Sequence, residues 1–225
     1  MLRLREQMVA VCRRLQQLGL VTATDGNVSC RAGDALLVTP SGSVKGALRP
    51  KDLLLVDLEG RLLEGHGRPS SELKMHLLVY RRRPDVNAVV HAHPPVATAL
   101  TLAGLAFTAE ALPEVWLTLG PVPTAPYATP STKEVPAAIE ALVADHQALL
   151  LERHGSLCFG RDLDQAYMRT EKLEQAARVL FIAHELRGVP ASVLGAEALA
   201  ALTAGLPRPP GPDPRRSRRQ RTEAA

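Results

Sequence analysis

The sequence predicts an α/β fold, in which helices and strands alternate along a single domain. Three observations predict it: segments with apolar residues at helical spacing, short runs of Leu and Val between Gly, Pro and Asp, and the interleaving of both. The chain has 225 residues, of which 46% are hydrophobic and 22% charged, enough to bury one sizeable core. We therefore expect one domain over residues 1–205 and a disordered tail over 206–225.

The helices follow from apolar periodicity together with residues that start or stop a helix. Gly19 is a natural stop for the first helix, and Asp162 is a good N-cap for the longest one. Small hydroxyl residues before Glu72 favour a helix start there, because an acid suits the first turn. The predicted helices span about 2–18, 70–82, 95–102, 132–145, 163–186 and 195–203.

The strands are predicted from short runs of Leu and Val bounded by turn residues. The clearest is the apolar segment NAVVHAH, which is closed by Pro94 and Pro95. Three polar segments, at 26–29, 39–42 and 67–71, are interpreted as turns. The predicted strands span about 35–39, 53–57, 61–64, 87–93, 115–119 and 148–152.

The formal net charge of +4 belongs entirely to the last nineteen residues. This segment is rich in Pro and Arg and has no apolar face to bury, so we expect it to be disordered. Its arginines could contact the phosphates of a nucleic acid or an anionic surface. No aromatic residue lies among them to stack on bases, however, so a solvated extension is favoured and nucleic-acid binding is not expected.

Cysteine usage and hydropathy predict a cytoplasmic, soluble protein. The three cysteines, Cys12, Cys30 and Cys158, are an odd number and widely spaced, which is typical of reduced, buried thiols. No apolar run approaches the roughly 18–20 residues that a membrane span needs. The charged, amphipathic start MLRLREQMVAV has no signal-peptide h-region.

His91 and His93 form an H-A-H pair on a predicted strand, where residues i and i+2 share a face. Two adjacent imidazoles suit a zinc-type metal ion, although so short a pattern often occurs by chance. His154 is the best candidate for a third ligand, because Gly155 follows it and allows the backbone to turn. Three protein ligands with one open position are typical of a catalytic zinc site.

The segment before Glu72 resembles an anion site. Exposed hydroxyls and amides at a helix N-terminus bind phosphate readily, and the segments at 26–29 and 39–42 could add donors. Each segment alone is more often a simple turn, and a Glu near a helix start is often only complementary to the helix dipole.

Taken together, these patterns resemble the class II aldolase/adducin superfamily, and most closely its L-fuculose-1-phosphate aldolase branch. The resemblance covers residues 1 to about 190. Six motifs carry it in order: GNVS at 26–29, TPSG at 39–42, GRPSSELKMH at 67–76, VVHAHP at 89–94, APYAT at 125–129 and RHG at 153–155.

The resemblance implies a three-layer α/β/α fold with a central, mostly antiparallel sheet, in homotetramers with active sites at subunit interfaces. It implies a divalent metal ion, Zn²⁺ or alternatively Mn²⁺ or Co²⁺, and makes Glu72 the catalytic acid/base. The implied metal ligands are His91, His93 and His154. The implied phosphate-binding residues are Asn27, Ser41, Gly42, Ser70 and Ser71.

The implied activity is cleavage of a ketose 1-phosphate to dihydroxyacetone phosphate and an aldehyde. The metal would stabilise an enediolate and Glu72 would protonate its carbon. The five lysines have no distinctive context for a Schiff base. Where the fuculose-phosphate aldolases have a tyrosine midway along the chain, this sequence has Leu112, Pro113 and Glu114.

Four other functions remain open within the superfamily. They are methylthioribulose-1-phosphate dehydratase, sugar-phosphate 4-epimerase, decarboxylase of a phosphorylated keto acid and a non-catalytic adducin-like binding domain. The epimerases usually have SSD where this chain has Ser70, Ser71 and Glu72, and the binding domain would not need three histidines.

Overall fold

An eight-stranded sheet forms the centre of the molecule in the computed structural model, which describes residues 1–188 and 191–204. The strand order is β4-β3-β2-β1-β5-β8-β7-β6. Among the described strands every pairing is antiparallel except that of β6 with β7, as the fold prediction required. The strands are β1 (Asn27–Ala32), β2 (Ala35–Val38), β3 (Leu54–Val56), β4 (Leu62–Glu64), β5 (Ala88–Ala92), β6 (Thr124–Ala125), β7 (Ala148–Leu151) and β8 (Gly155–Gly160).

Helices cover both faces of this sheet and complete three layers. α2 and α5 pack on one face, whereas α1, α3, α4 and α6 pack on the other, and α7 lies beside α4. The three-layer α/β/α prediction is therefore confirmed. The helices are α1 (Leu2–Gln17), α2 (Leu73–Arg82), α3 (Pro95–Leu102), α4 (Pro113–Leu119), α5 (Glu134–Val143), α6 (Leu163–Arg187) and α7 (Ala196–Thr203).

The longest helix, α6, begins where the sequence predicts. The Asp162 side chain accepts a hydrogen bond from the backbone N–H of Gln165, which satisfies one of the free donors of the first turn. The apolar periodicity of this helix predicts a buried stripe of Leu163, Ala166, Thr170, Leu173, Ala177, Leu180 and His184. The first six are buried, whereas His184 is partly exposed.

The observed local structure differs from the sequence predictions in several places. Residues 115–119 are not a strand but lie in α4, where Pro113 occupies the first turn with its φ already fixed for a helix. Residues 27–29 are not a turn but the start of β1, which pairs with both β2 and β5. Strand β8, which the sequence did not predict, pairs along the whole of β5.

The three cysteines are free and buried, as predicted, and burial raises the pKa of the Cys12 thiol to about 12. In the described part of the chain, no helix has both the length and the apolar composition that crossing a membrane requires. The predicted disordered tail, 206–225, lies outside the described residues.

Candidate active site

Three histidines from two neighbouring parts of the sheet meet at one point. His91 lies in β5, His93 follows the end of that strand, and His154 lies in the turn between β7 and β8. The ring centroids are 4.8 Å apart for His91 and His93, 4.8 Å for His91 and His154, and 5.1 Å for the third pair. One nitrogen of each ring lies within 4.8 Å of the other two, so the sheet brings the three predicted ligands together.

The turn that carries His154 has an unusual backbone. Arg153 has a φ of +59°, a left-handed conformation that is costly for a residue with a side chain. Gly155 follows, and a Cβ there would collide with the carbonyl oxygen of Ala92 and lie 3.0 Å from the His93 ring. The glycine therefore allows β8 to approach the end of β5, and this approach brings His154 beside His91 and His93.

The hydrogen bond of His91 fixes which ring nitrogen faces the site. His91 Nδ1 lies 2.9 Å from the carbonyl oxygen of Ser156. A carbonyl can only accept, so Nδ1 carries the proton and Nε2 presents its lone pair to the centre. A backbone carbonyl that orients an imidazole in this way is typical of metal-binding histidines.

The donor set fits a divalent transition metal. His93 Nε2 lies 2.9 Å from His91 Nε2, and a carboxylate approaches the same centre. Imidazole nitrogens of this kind bind zinc, and they also suit manganese or cobalt less selectively. Without a cation, the nitrogen lone pairs and the negative carboxylate face one another. A cation bound between them would be attracted by all of these groups.

Glu72 is the carboxylate that faces the three histidines. Its Oε1 lies 3.0 Å from His154 Nε2, and its Oε2 lies 3.3 Å from His91 Nε2. The predicted position in the first turn of the helix is wrong, because Glu72 precedes α2 and makes no capping hydrogen bond. Because the carboxylate makes no capping hydrogen bond, it is available for its contacts with His91 and His154.

The electrostatic surroundings keep Glu72 ionised and His93 neutral. Burial alone would raise the pKa of Glu72, but hydrogen bonds and positive charge from His154 and His91 outweigh burial and hold the pKa well below its usual range. Burial, reinforced by the charges of His91 and His154, lowers the pKa of His93 to about 4. An ionised Glu72 and a neutral His93 are the protonation states that metal binding requires of these two groups.

Direct contacts join the predicted phosphate-binding segments. Asn27 Nδ2 donates to Glu72 Oε2 at 2.9 Å and lies 3.3 Å from Ser70 Oγ. The backbone N–H of Ser41 donates to the carbonyl oxygen of Arg68 at 2.8 Å, beside an isolated bridge between Pro40 and Pro69. The segments at 26–29, 39–42 and 67–71 therefore form one wall of the site.

The remaining predicted phosphate-binding residues lie on the exposed side of this wall. Ser71 Oγ hydrogen-bonds Ser131 Oγ at 2.7 Å, which ties the segment before α2 to the segment before α5. Gly42 and Ser41 are exposed, with Gly42 in a left-handed conformation. Because the Ser41 N–H is already used by Arg68, Ser41 can offer an incoming anion only its hydroxyl.

The sequence interpretation missed several residues around the site. Asp25 Oδ2 lies 3.9 Å from His93 Nδ1. His76, one turn along α2 from Glu72, hydrogen-bonds Ser29 Oγ, which also contacts the Tyr80 hydroxyl. The only signal for these contacts was the four-residue spacing of His76 and Tyr80 on one helix face.

Backbone strain also concentrates around the site. Among the described residues, three that are not glycine have positive φ: Ala23, Ser131 and Arg153. One lies two residues before Asp25, one contacts Ser71, and one directly precedes His154. Strained residues at such positions are typical of functional sites, where the surrounding fold maintains them.

Comparison with known proteins identifies the family. The model of the class II aldolase and adducin N-terminal domain matches residues 6–181. The chain belongs to this family. L-fuculose phosphate aldolase from Methanocaldococcus jannaschii is 33% identical over 179 residues, which is 79% of this chain and 96% of that enzyme. This similarity places the chain among enzymes of the aldolase and lyase type.

A second kind of relative matches over a greater length. The 3-oxo-tetronate 4-phosphate decarboxylase of Escherichia coli K12 is 37% identical over 211 residues, which is 90% of this chain and 92% of that enzyme. The crystal structure of YgbL from Escherichia coli, which is described as an aldolase, epimerase or decarboxylase, superposes with a TM-score of 0.83. It is 36% identical, and the match covers 90% of this chain and 99% of YgbL.

Proposed function

We propose that this protein is a metal-dependent lyase that cleaves a carbon–carbon bond of a phosphorylated ketose, with cleavage of a ketose 1-phosphate as the main activity. The observation that carries the proposal is the convergence of Glu72 with three imidazole nitrogens beside a wall of hydroxyl and amide donors. In our proposal His91, His93 and His154 are the metal ligands.

A divalent cation held by three histidines supplies Lewis acidity, which stabilises the negative charge that develops on the ketone oxygen of the substrate. His91 contributes an oriented lone pair, because its other nitrogen is fixed by Ser156. Zn²⁺ is our preferred ion.

Glu72 is the proposed acid/base. Cleavage releases the proton of the hydroxyl that becomes the aldehyde oxygen and leaves an electron pair on the enediolate carbon. The ionised Glu72 would take up this proton and return it to that carbon, which yields dihydroxyacetone phosphate. In the reverse direction the ionised carboxylate removes the same proton. The Asn27 amide donates to Glu72 Oε2 and so fixes the orientation of the carboxylate.

The phosphate is proposed to bind at the wall formed by the three segments, through Asn27, Ser41, Gly42, Ser70 and Ser71. Small hydroxyl and amide groups near a helix N-terminus favour phosphate. The hydrogen bonds between these segments fix their separation before substrate arrives, which lowers the entropic cost of binding.

Decarboxylation of a phosphorylated 3-oxo acid is the second candidate, and the longer match to the decarboxylase favours it. Loss of CO₂ from a 3-oxo-tetronate 4-phosphate leaves an enediolate, which becomes dihydroxyacetone phosphate when Glu72 passes to the same carbon a proton taken up from water. The two activities therefore share the proposed metal ligands, phosphate wall and acid. They differ only in whether an aldehyde or CO₂ departs.

The departing fragment is the quantity to measure. The metal-loaded protein would be incubated with a panel of ketose 1-phosphates, ketose 5-phosphates and a 3-oxo-tetronate 4-phosphate, with aldehyde, CO₂ and dihydroxyacetone phosphate followed separately. Aldehyde with dihydroxyacetone phosphate identifies the aldolase, and CO₂ with the same triose phosphate identifies the decarboxylase. Water loss or a changed sugar isomer, without bond cleavage, would contradict the proposal.

A homotetramer with active sites at its subunit interfaces and a cytoplasmic location complete the proposal. Both rest on family resemblance and on the reduced cysteines. Light scattering on the eluted protein measures the assembly mass, and a tetramer of 225-residue chains is expected.

A further inference from the structure

Lys45 is a buried lysine that joins two of the segments we propose for phosphate binding. The residue is 2% exposed. Its Nζ donates to the carbonyl oxygen of Thr24 at 2.9 Å and to that of Ser43 at 2.7 Å. Thr24 lies three residues before Asn27, and Ser43 directly follows Gly42, so a single ammonium group fixes the ends of both segments.

The charge of this ammonium has no direct counterion among the residues that the structure describes. Both of its acceptors are neutral carbonyl oxygens, and no carboxylate of the described residues lies within 4 Å of Nζ. A buried ammonium without an ion pair is costly, because burial removes its hydration. Burial accordingly lowers the pKa of Lys45, against the opposing charges that include Asp25 and Glu72.

The other buried cations of the described chain are paired. Arg5 contacts Glu64 at 2.6 Å, and Arg83 contacts Asp85 at 2.8 Å. Each of these arginines also donates to backbone carbonyls, as Lys45 does, so carbonyl acceptors alone do not distinguish the sites. Lys45 differs from both arginines because no carboxylate of the described residues lies beside it. Lys45 also lies next to the proposed phosphate wall, since its acceptors flank two of the wall's segments.

We propose that Lys45 is a positioning residue for the phosphate group of the substrate, which it attracts by its charge while it ties together Thr24 and Ser43, the residues that flank the 26–29 and 39–42 segments. The inference rests on the proposed function, since it assigns a counterion to the phosphate of that substrate. The bound phosphate would provide the negative charge that no carboxylate of the described residues supplies close to Lys45. Lys45 needs no contact with the reacting carbon for this role.

The test compares Lys45→Gln with Lys51→Gln in the metal-loaded full chain. Glutamine keeps donors for the two carbonyls but removes the charge, and Lys51 is an exposed lysine on a nearby turn. Proton exchange into dihydroxyacetone phosphate gives KM and kcat, and inhibition by inorganic phosphate gives a dissociation constant. We expect Lys45→Gln to raise KM and the phosphate dissociation constant about tenfold, with kcat within about threefold, and Lys51→Gln to match the wild type.

Three outcomes separate the possibilities. Equal KM and phosphate affinity in the two variants would overturn the role of Lys45. A fall in kcat with unchanged phosphate affinity would also overturn it, since that pattern indicates general structural damage. If the wild type neither exchanges the proton nor binds phosphate, the proposed function itself fails. Melting temperatures verify folding, and Lys45→Met, which removes charge and donors together, should weaken phosphate binding at least as much as Lys45→Gln.

Discussion

Glu72 lies directly before α2 and His76 lies one turn further along, inside the helix, and their surroundings differ in kind. Glu72 meets two histidines from β5 and the β7–β8 turn, and its neighbouring imidazoles present lone pairs to a common centre. His76 is fully buried and makes a 2.7 Å hydrogen bond to Ser29 Oγ, which lies 2.8 Å from the Tyr80 hydroxyl. We propose that a cation completes the first group, whereas the second is held by hydrogen bonds among its own side chains.

The buried polar groups near the start of α2 therefore have two kinds of role, one in binding and one in structure. Buried polar side chains are normally satisfied within the protein, and the Ser29–His76–Tyr80 network follows that rule at His76 Nδ1 and the two hydroxyls, whereas His76 Nε2 has no hydrogen-bond partner among the described residues. Nitrogens and carboxylates that converge on one point, by contrast, gain their stability from an added ligand. Variants of Glu72 and the three histidines should therefore change metal content and activity. Variants of the Ser29–His76–Tyr80 network should change stability instead.

The largest effect is expected from His93→Ala. Loss of one of three proposed ligands should remove the metal and lower kcat/KM by about 10⁴-fold, because several kcal/mol of charge stabilisation disappear. Metal content by elemental analysis and steady-state kinetics provide the measurements. The exposed His66 supplies the matched control, and a His93→Ala protein with wild-type metal content and activity would contradict the ligand assignment.

Glu72→Gln should have the next largest effect. The amide preserves shape but cannot accept a proton, so exchange at the dihydroxyacetone phosphate carbon should fall about 10³-fold. Metal content and melting temperature should stay near wild type, in contrast with His93→Ala. Undiminished exchange, followed by NMR in D₂O, would exclude Glu72 as the base.

His76 should influence stability at acidic pH. Burial, with a contribution from the charge of His91, lowers the pKa of His76 to about 3. The unfolded state then binds more protons than the folded state between about pH 6.5 and 3, so stability falls as the pH falls through this window. From pH 7 to 5 the contribution of His76 is a loss of about 2 kcal/mol.

The measurement is urea denaturation of metal-free protein at pH 7 and pH 5. His76→Gln should lose about 2 kcal/mol less than the wild type over this interval, and His66→Gln should follow the wild type. Equal losses in the wild type and His76→Gln would show that His76 is protonated in the folded state.

Tyr80→Phe should produce the smallest change. It removes one hydroxyl from the buried network and leaves the ring packed, so we expect a loss of about 1 kcal/mol of unfolding free energy. Metal content and kcat should remain within about twofold of wild type, as a structural role requires. A large loss of metal binding would instead show that the Ser29–His76–Tyr80 network is coupled to the cluster of Glu72 and the three histidines.

Much of the fold could be predicted because local signals agreed with the final structure. Asp162 caps α6, and α1 buries the apolar stripe that includes Cys12. The errors occur where neighbours decide the conformation. Residues 27–29 have the composition of a turn but become a strand because β2 and β5 lie on either side to pair with them.

The kinds of group at the site can be read from the residue pattern: the His91 and His93 pair, a carboxylate before a helix, and hydroxyl-rich segments. Which of them meet depends on how the strands pair and how closely they approach. His154 reaches the pair because Gly155 permits close approach of β8, and Glu72 faces the histidines because it lies outside α2. The role of Lys45 depends on its burial between two segments that are distant in the sequence. Removing the hydration of its charge is costly, and the residue pattern does not reveal that burial.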